Sequence, residues 1–173
     1  MELNKGFKKI SLLLPLLLLV VGCKVSYKFT GASIDYSVVR TISMETFQNR
    51  AAYQWGPMAT MLNERLSDVF IQQTKLTQVQ RGGDLQLAGE VTAYDQVNKS
   101  ISSDGYSAMV QLKMTVKVRF TNNKNHKEDF ERSFSATRDF DSSQQLDTVQ
   151  EELVTQMINE IVDAIFNAAV ANW

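Results

Sequence analysis

Hydrophobic residues along this chain recur with a period of two in some stretches and with a helical period in others, and their order predicts the elements. One segment has no period: Ile10 to Val21 is apolar except for Ser11 and Pro15, and follows a basic start at Lys5, Lys8 and Lys9. From Ile34 to Met44 the apolar residues Ile34, Tyr36, Val38, Ile42 and Met44 alternate, Arg40 excepted, which predicts a strand. Gln48 to Gly56 is polar and aromatic and reads as a loop. Pro57, whose missing N–H costs nothing in a first turn, opens a helix with Met58, Met61, Leu62, Leu66, Val69 and Phe70 on one face, up to about Gln73. A short strand at Leu76 to Gln80 and a turn at Gly82-Gly83-Asp84 follow. They lead to a long strand in which Leu85, Leu87, Gly89, Val91 and Ala93 share a face. Polar Asn98 to Ser107, holding Asp104-Gly105, reads as a loop or hairpin turn.

The cleanest alternation is Met109 to Thr121. Val110, Leu112, Met114, Val116, Val118 and Phe120 face one way, and Gln111, Lys113, Thr115, Lys117, Arg119 and Thr121 the other. After a turn at Asn122 to Lys127, Phe130, Phe134 and Ala136 mark a returning strand. Asp141, Ser142 or Ser143 can cap the last helix. Its ladder of Leu146, Val149, Leu153, Met157, Ile161, Ile165 and Ala169 is widened by Val154, Ile158, Val162, Phe166 and Val170. The order is β-α-(β)-β-β-β-α. It predicts an α+β two-layer sandwich: two amphipathic helices packed on one face of a mainly antiparallel four-stranded sheet, whose other face is polar and open.

The aperiodic segment changes the picture next. At 12 residues it is shorter than the roughly 20 needed to span a bilayer, and it ends at Val20-Val21-Gly22-Cys23. A small residue directly before the only cysteine looks like a lipobox, the cleavage signal of bacterial lipoproteins. Residues 1–22 then form a signal peptide, Cys23 carries a diacylglycerol and an N-acyl chain, 23–33 is a tether, and 34–173 is one domain. Two or more acyl chains make such anchoring stable. Lys24, in place of the aspartate that retains lipoproteins at the inner membrane, favours the periplasmic face of the outer membrane.

Charge narrows the function further. The whole chain has a formal net charge of −1, and losing three lysines and Glu2 with the leader makes it more acidic. Nucleic acid is therefore not an expected partner. With Cys23 acylated, no disulfide or thiol nucleophile is left.

Candidate chemistry is sparse. His126, the only histidine, sits among Asn123, Lys124, Asn125 and Lys127 in a predicted turn and reads as a solvated side chain. No ligand spacing for a metal occurs, and Gly82-Gly83 lacks the helix and lysine of a phosphate-cradling loop. Asp139 and Asp141 suit helix capping better than paired acid–base work. No enzyme activity and no cofactor are expected. Lys113, Lys117 and Arg119 share the polar face of one strand, with alternate residues about 6.6–6.8 Å apart, a spacing that can meet several phosphates of one anionic lipid headgroup. Solubilising a half-exposed strand accounts for the same residues. Tyr53 and Trp55 are candidate partner contacts, although Trp55 before Pro57 also suits a helix staple.

Several motifs run along the chain: Phe29-Thr30-Gly31-Ala32-Ser33-Ile34, then Gly83-Asp84-Leu85-Gln86-Leu87-Ala88-Gly89-Glu90-Val91 with Tyr94, then Val118-Arg119-Phe120-Thr121-Asn122. Asp129-Phe130-Glu131-Arg132-Ser133-Phe134-Ser135 and Asp139-Phe140-Asp141-Ser142-Ser143 follow, with Ile165-Phe166-Asn167 and Val170-Ala171-Asn172-Trp173 at the end. Taken in order, these motifs resemble the LptE family of lipopolysaccharide-assembly lipoproteins in its Bacteroides-like form. The resemblance implies two helices on a four-stranded sheet and a non-enzymatic role. It also implies a partner: LptE-like proteins plug the outer-membrane barrel LptD, assist its folding, and support insertion of lipopolysaccharide into the outer leaflet. Basic residues of some members contact lipopolysaccharide. The chief alternative is a lipoprotein that activates a periplasmic cell-wall synthase; a hydrolase lacks a catalytic set.

Overall fold

The computed structural model describes residues 34–101 and 107–170, which leaves Cys23, the tether and the Asp104-Gly105 tip outside the described residues. The chain runs β1 (Thr41–Met44), β2 (Gln48–Asn49), α1 (Met58–Gln73), β3 (Thr77–Val79), β4 (Leu85–Ile101), β5 (Ser107–Asn122), β6 (Phe130–Asp141) and α2 (Leu146–Val170), with a 3-10 turn at His126–Glu128. The two helices and the open sheet face are as the periodicity predicts. The sheet itself differs: it has six strands in the order β3-β1-β4-β5-β6, with β2 also beside β4. Strands β4, β5 and β6 are antiparallel, but β1 runs parallel to both β3 and β4, and β2 parallel to β4. The mainly antiparallel four-stranded expectation is therefore corrected to a mixed sheet. Its physical cause is α1, because a helical crossover between β1 and β3 returns the chain in the same direction.

The long first strand also shortens. Asp35 accepts the Ser37 N–H at 2.9 Å and the Ser37 hydroxyl at 2.6 Å, and its carbonyl takes the N–H groups of Val38 and Val39. This side-chain turn competes with extension, so pairing starts only at Thr41 and Val38 is left 50% exposed. Between β1 and β2 the strand breaks at buried Phe47. Asn63 of α1 acts there as a substitute strand: its Oδ1 accepts the Phe47 N–H at 2.8 Å and its Nδ2 donates to the Phe47 carbonyl at 2.9 Å. The Phe47 ring lies on Gly89, where a Cβ would overlap both the ring and the Lys117 carbonyl.

Strand β4 carries a register shift between Val91 and Ala93. A bulge moves every later side chain by one position, so Tyr94, not Ala93, continues the core row. Tyr94 is fully buried and its hydroxyl accepts a bond from Gln150 Nε2 of α2 at 2.9 Å. Burial pushes its phenol up to about 12. Strands β4 and β5, with the inward faces of both helices, close one core, and Phe70 meets Phe166 edge-on at 5.3 Å between the helices. Asp139 and Asp141 are not helix caps. Asp139 sits on β6 and bonds Lys99 and Gln111, and Asp141 accepts the Ser143 N–H at 2.8 Å in a turn completed before Leu146.

Candidate functional site

The polar face of β5 is exposed, as the alternation requires, and its cations divide into two groups. Lys117 Nζ lies 2.5 Å from Glu131 Oε1, and Arg119 Nε lies 3.1 Å from Glu131 Oε2. Antiparallel register sets this: Arg119 stands directly opposite Glu131 on β6. The Lys117 ammonium, and after it the Arg119 guanidinium, hold the Glu131 carboxyl below its usual value. Beside them is a hollow of about 220 Å³ lined by Glu45, Ala88, Gly89, Glu90, Lys117, Arg119 and Glu131. Ala88, with only a methyl side chain, leaves the hollow open above β4. Arg50 faces Glu90 at 3.9 Å, so the hollow mixes both signs of charge.

Lys113 stands apart, four residues and roughly 13 Å along the strand from Lys117. It makes no ion pair among the described residues. A further cation on this face is Lys99 of β4, 2.5 Å from Asp139. Polar Asn98 to Ser107 predicts a loop, which gives Lys99 no face, yet β4 extends to Ile101. Glu131 lies in β6 between the apolar positions that mark this strand, and nothing in its spacing signals the pairing.

Tyr53 and Trp55 occupy different settings. Trp55 packs against the core, and its carbonyl accepts the Met58 N–H at 3.2 Å where α1 begins. Tyr53 is 45% exposed and stacks on buried Tyr94, with ring centroids 5.5 Å apart and planes 19° from parallel. His126 is a solvated loop side chain whose Nδ1 lies 2.9 Å from Asp129. No group of three metal-ligating side chains occurs among the described residues.

The Gly82-Gly83-Asp84 turn is a structural corner. Gly82 has φ 69°, a left-handed value that suits glycine. The Asp84 carboxylate accepts the N–H groups of Arg40 and Thr41 at 2.9 and 3.1 Å and the Thr41 hydroxyl at 3.0 Å, with Lys124 at 3.0 Å. The Arg40 N–H first, and Lys124 next, hold this carboxyl well below the usual carboxylate range.

Known proteins share this architecture. A hypothetical protein from Chlamydia trachomatis is similar with a TM-score of 0.54 at 9% identity, over 78% of this chain and 99% of that one. Uncharacterized lipoprotein B from Nitrosomonas europaea is similar with a TM-score of 0.50 at 14% identity, over 73% of this chain and 79% of that one. At such identities the likeness concerns the fold. No curated protein matches the chain. The model of the LptE family, described as lipopolysaccharide-assembly, matches residues 39–169, from just before β1 almost to the end of α2. This chain therefore belongs to the LptE lipopolysaccharide-assembly family.

Proposed function

We propose that this chain is a lipoprotein held by acyl chains on Cys23 at the periplasmic face of the outer membrane. There it plugs an LptD-like barrel, assists the barrel's assembly, and supports insertion of lipopolysaccharide into the outer leaflet. The observation that carries this reading is the family match over residues 39–169. The mechanism is binding, not bond chemistry. Lys113, Lys117 and Arg119 lie on the open face, where N–H donors on charged groups make short bonds to phosphate oxygens. Glu45 and Glu90 beside them are acceptors for sugar hydroxyls, so the hollow suits a headgroup that carries both. The half-exposed Tyr53 ring, seated on Tyr94, and the nearby Trp55 are the proposed contacts to the barrel, because a rigid aromatic loses little entropy on docking.

Depletion and re-supply test this. Cells depleted of the protein should lose surface lipopolysaccharide, and the wild type should restore it and co-purify with a large barrel protein. The Lys113→Gln/Lys117→Gln/Arg119→Gln variant, with an unchanged circular dichroism spectrum, should restore less. Normal surface lipopolysaccharide after depletion would overturn the function. Stimulation of a peptidoglycan synthase without barrel co-purification would replace it with the regulator reading.

A further inference from the structure

We propose that Glu131 is a built-in competitor at the Lys117–Arg119 pair: it occupies both cations until a phosphate-bearing headgroup displaces it. This rests on the headgroup reading above and concerns how tightly that site holds and how readily it releases. Each carboxylate oxygen engages a different cation, Oε1 with Lys117 and Oε2 with Arg119. The carboxylate therefore spans the pair much as two oxygens of one phosphate would. Displacing it asks nothing of the backbone, because Glu131 comes from β6 and both cations from β5, and only side-chain torsions separate them. All three side chains are wet, at 43% exposure for Glu131, 48% for Lys117 and 68% for Arg119. Ion pairs in such settings are weak and exchange readily.

Lys113 makes the contrast. Among the described residues it has no ion partner, so an approaching anion meets it free and the Lys117–Arg119 pair occupied. A free cation attracts anions from solution, and its binding releases mobile counter-ions. An occupied pair exchanges one anion for another and releases few. A face built this way holds its ligand loosely and depends little on salt at the guarded positions. Such a site lets a headgroup pass on instead of retaining it.

The experiment uses the full lipidated protein in detergent, titrated with lipopolysaccharide and with dephosphorylated lipopolysaccharide at several salt concentrations. Glu131→Gln keeps the side-chain shape and removes the charge. It should bind phosphorylated lipopolysaccharide about two- to tenfold more tightly than wild type, with a steeper loss of affinity as salt rises. It should show no such gain on the dephosphorylated form. Equal or weaker binding by Glu131→Gln, or a gain that persists without phosphates, overturns the competitor role. In that case Lys117→Gln/Arg119→Gln decides the rest: weakened binding leaves the headgroup reading standing, and unchanged binding removes it as well.

Discussion

Strand β5 has two faces that are held by different physics. Inward, Leu112, Met114, Val116 and Val118 are fully buried against the helices, and each large aliphatic chain withdrawn from water contributes about 1.5–3 kcal/mol. Nothing on that side can turn away without leaving a void. Outward, Lys117 and Arg119 lean on one carboxylate in water, where direct pairing and hydration nearly cancel. One strand thus joins a side whose contacts are fixed to a side whose contacts can be exchanged at almost no cost to the fold. A carrier or plug surface needs the second kind supported by the first. The sharpest test is a pair of adjacent residues. Leu112→Ala should lose about 2–5 kcal/mol in urea unfolding through the cavity it leaves, whereas Lys113→Ala should leave the urea midpoint in place. Equal losses would break the contrast.

A middle case sits at the corner of the sheet. Asp84 is a carboxylate like Glu131, but its side chain is only 19% exposed and it takes two backbone N–H groups and a hydroxyl. Those donors tie the start of β1 to the start of β4. Asp84→Ala should cost roughly 1–3 kcal/mol at neutral pH, because the donors lose their acceptor. The folded-state carboxyl is held well below its usual value, so its contribution is fully present above the unfolded pKa near 4. The contribution is lost as pH falls from there through the depressed folded value. Wild type and Asp84→Ala should therefore converge in stability as the pH drops below about 4. A gap of constant size down to pH 2 would mean that the charge of Asp84 does not matter.

Where a period ran for many residues, the sequence revealed the structure. The outward and inward rows of β5, the buried face of α2 and the start of α1 after Pro57 could all be read from spacing. Short elements could not, because β1, β2 and β3 have four, two and three residues, too few for a period to declare itself. Their parallel pairing follows only once α1 is recognised as a crossover. Single side chains that redirect the backbone also stayed hidden. Asp35 ends an apparent alternation early, and the Thr92 bulge replaces Ala93 by Tyr94 in the core. On the candidate face Lys113, Lys117 and Arg119 are legible from alternation alone, whereas Lys99, in a stretch without apolar alternation, is not. The counter-ions are not legible either, because Glu131 and Asp139 find Lys117, Arg119 and Lys99 through cross-strand register, and register depends on the turns between strands.

The smallest expected effect separates the two carboxylates most cleanly. Glu131 also has its carboxyl lowered, by Lys117 first and then Arg119, so its contribution has the same sign: present above the unfolded pKa and lost as pH falls through the folded one. Its cause is different. Lys117 and Arg119 act on Glu131 through charged hydrogen bonds in open water, and only near 1 M salt does the Debye length, then about 3 Å, become as short as such pairs. Asp84 is held first by the Arg40 N–H, a short hydrogen bond from a fixed backbone that mobile ions do not replace, and only next by the half-exposed Lys124 ammonium, the one part of its setting that salt weakens. Glu131→Gln should therefore leave the urea midpoint within error of wild type at pH 7. Any difference between the two near pH 4 should vanish when sodium chloride is raised from 50 mM to about 1 M. The pH-dependent gap between Asp84→Ala and wild type should survive the same change. Salt that erased both gaps would place Asp84 with the exchangeable surface, and salt that erased neither would make Glu131 part of the fixed frame.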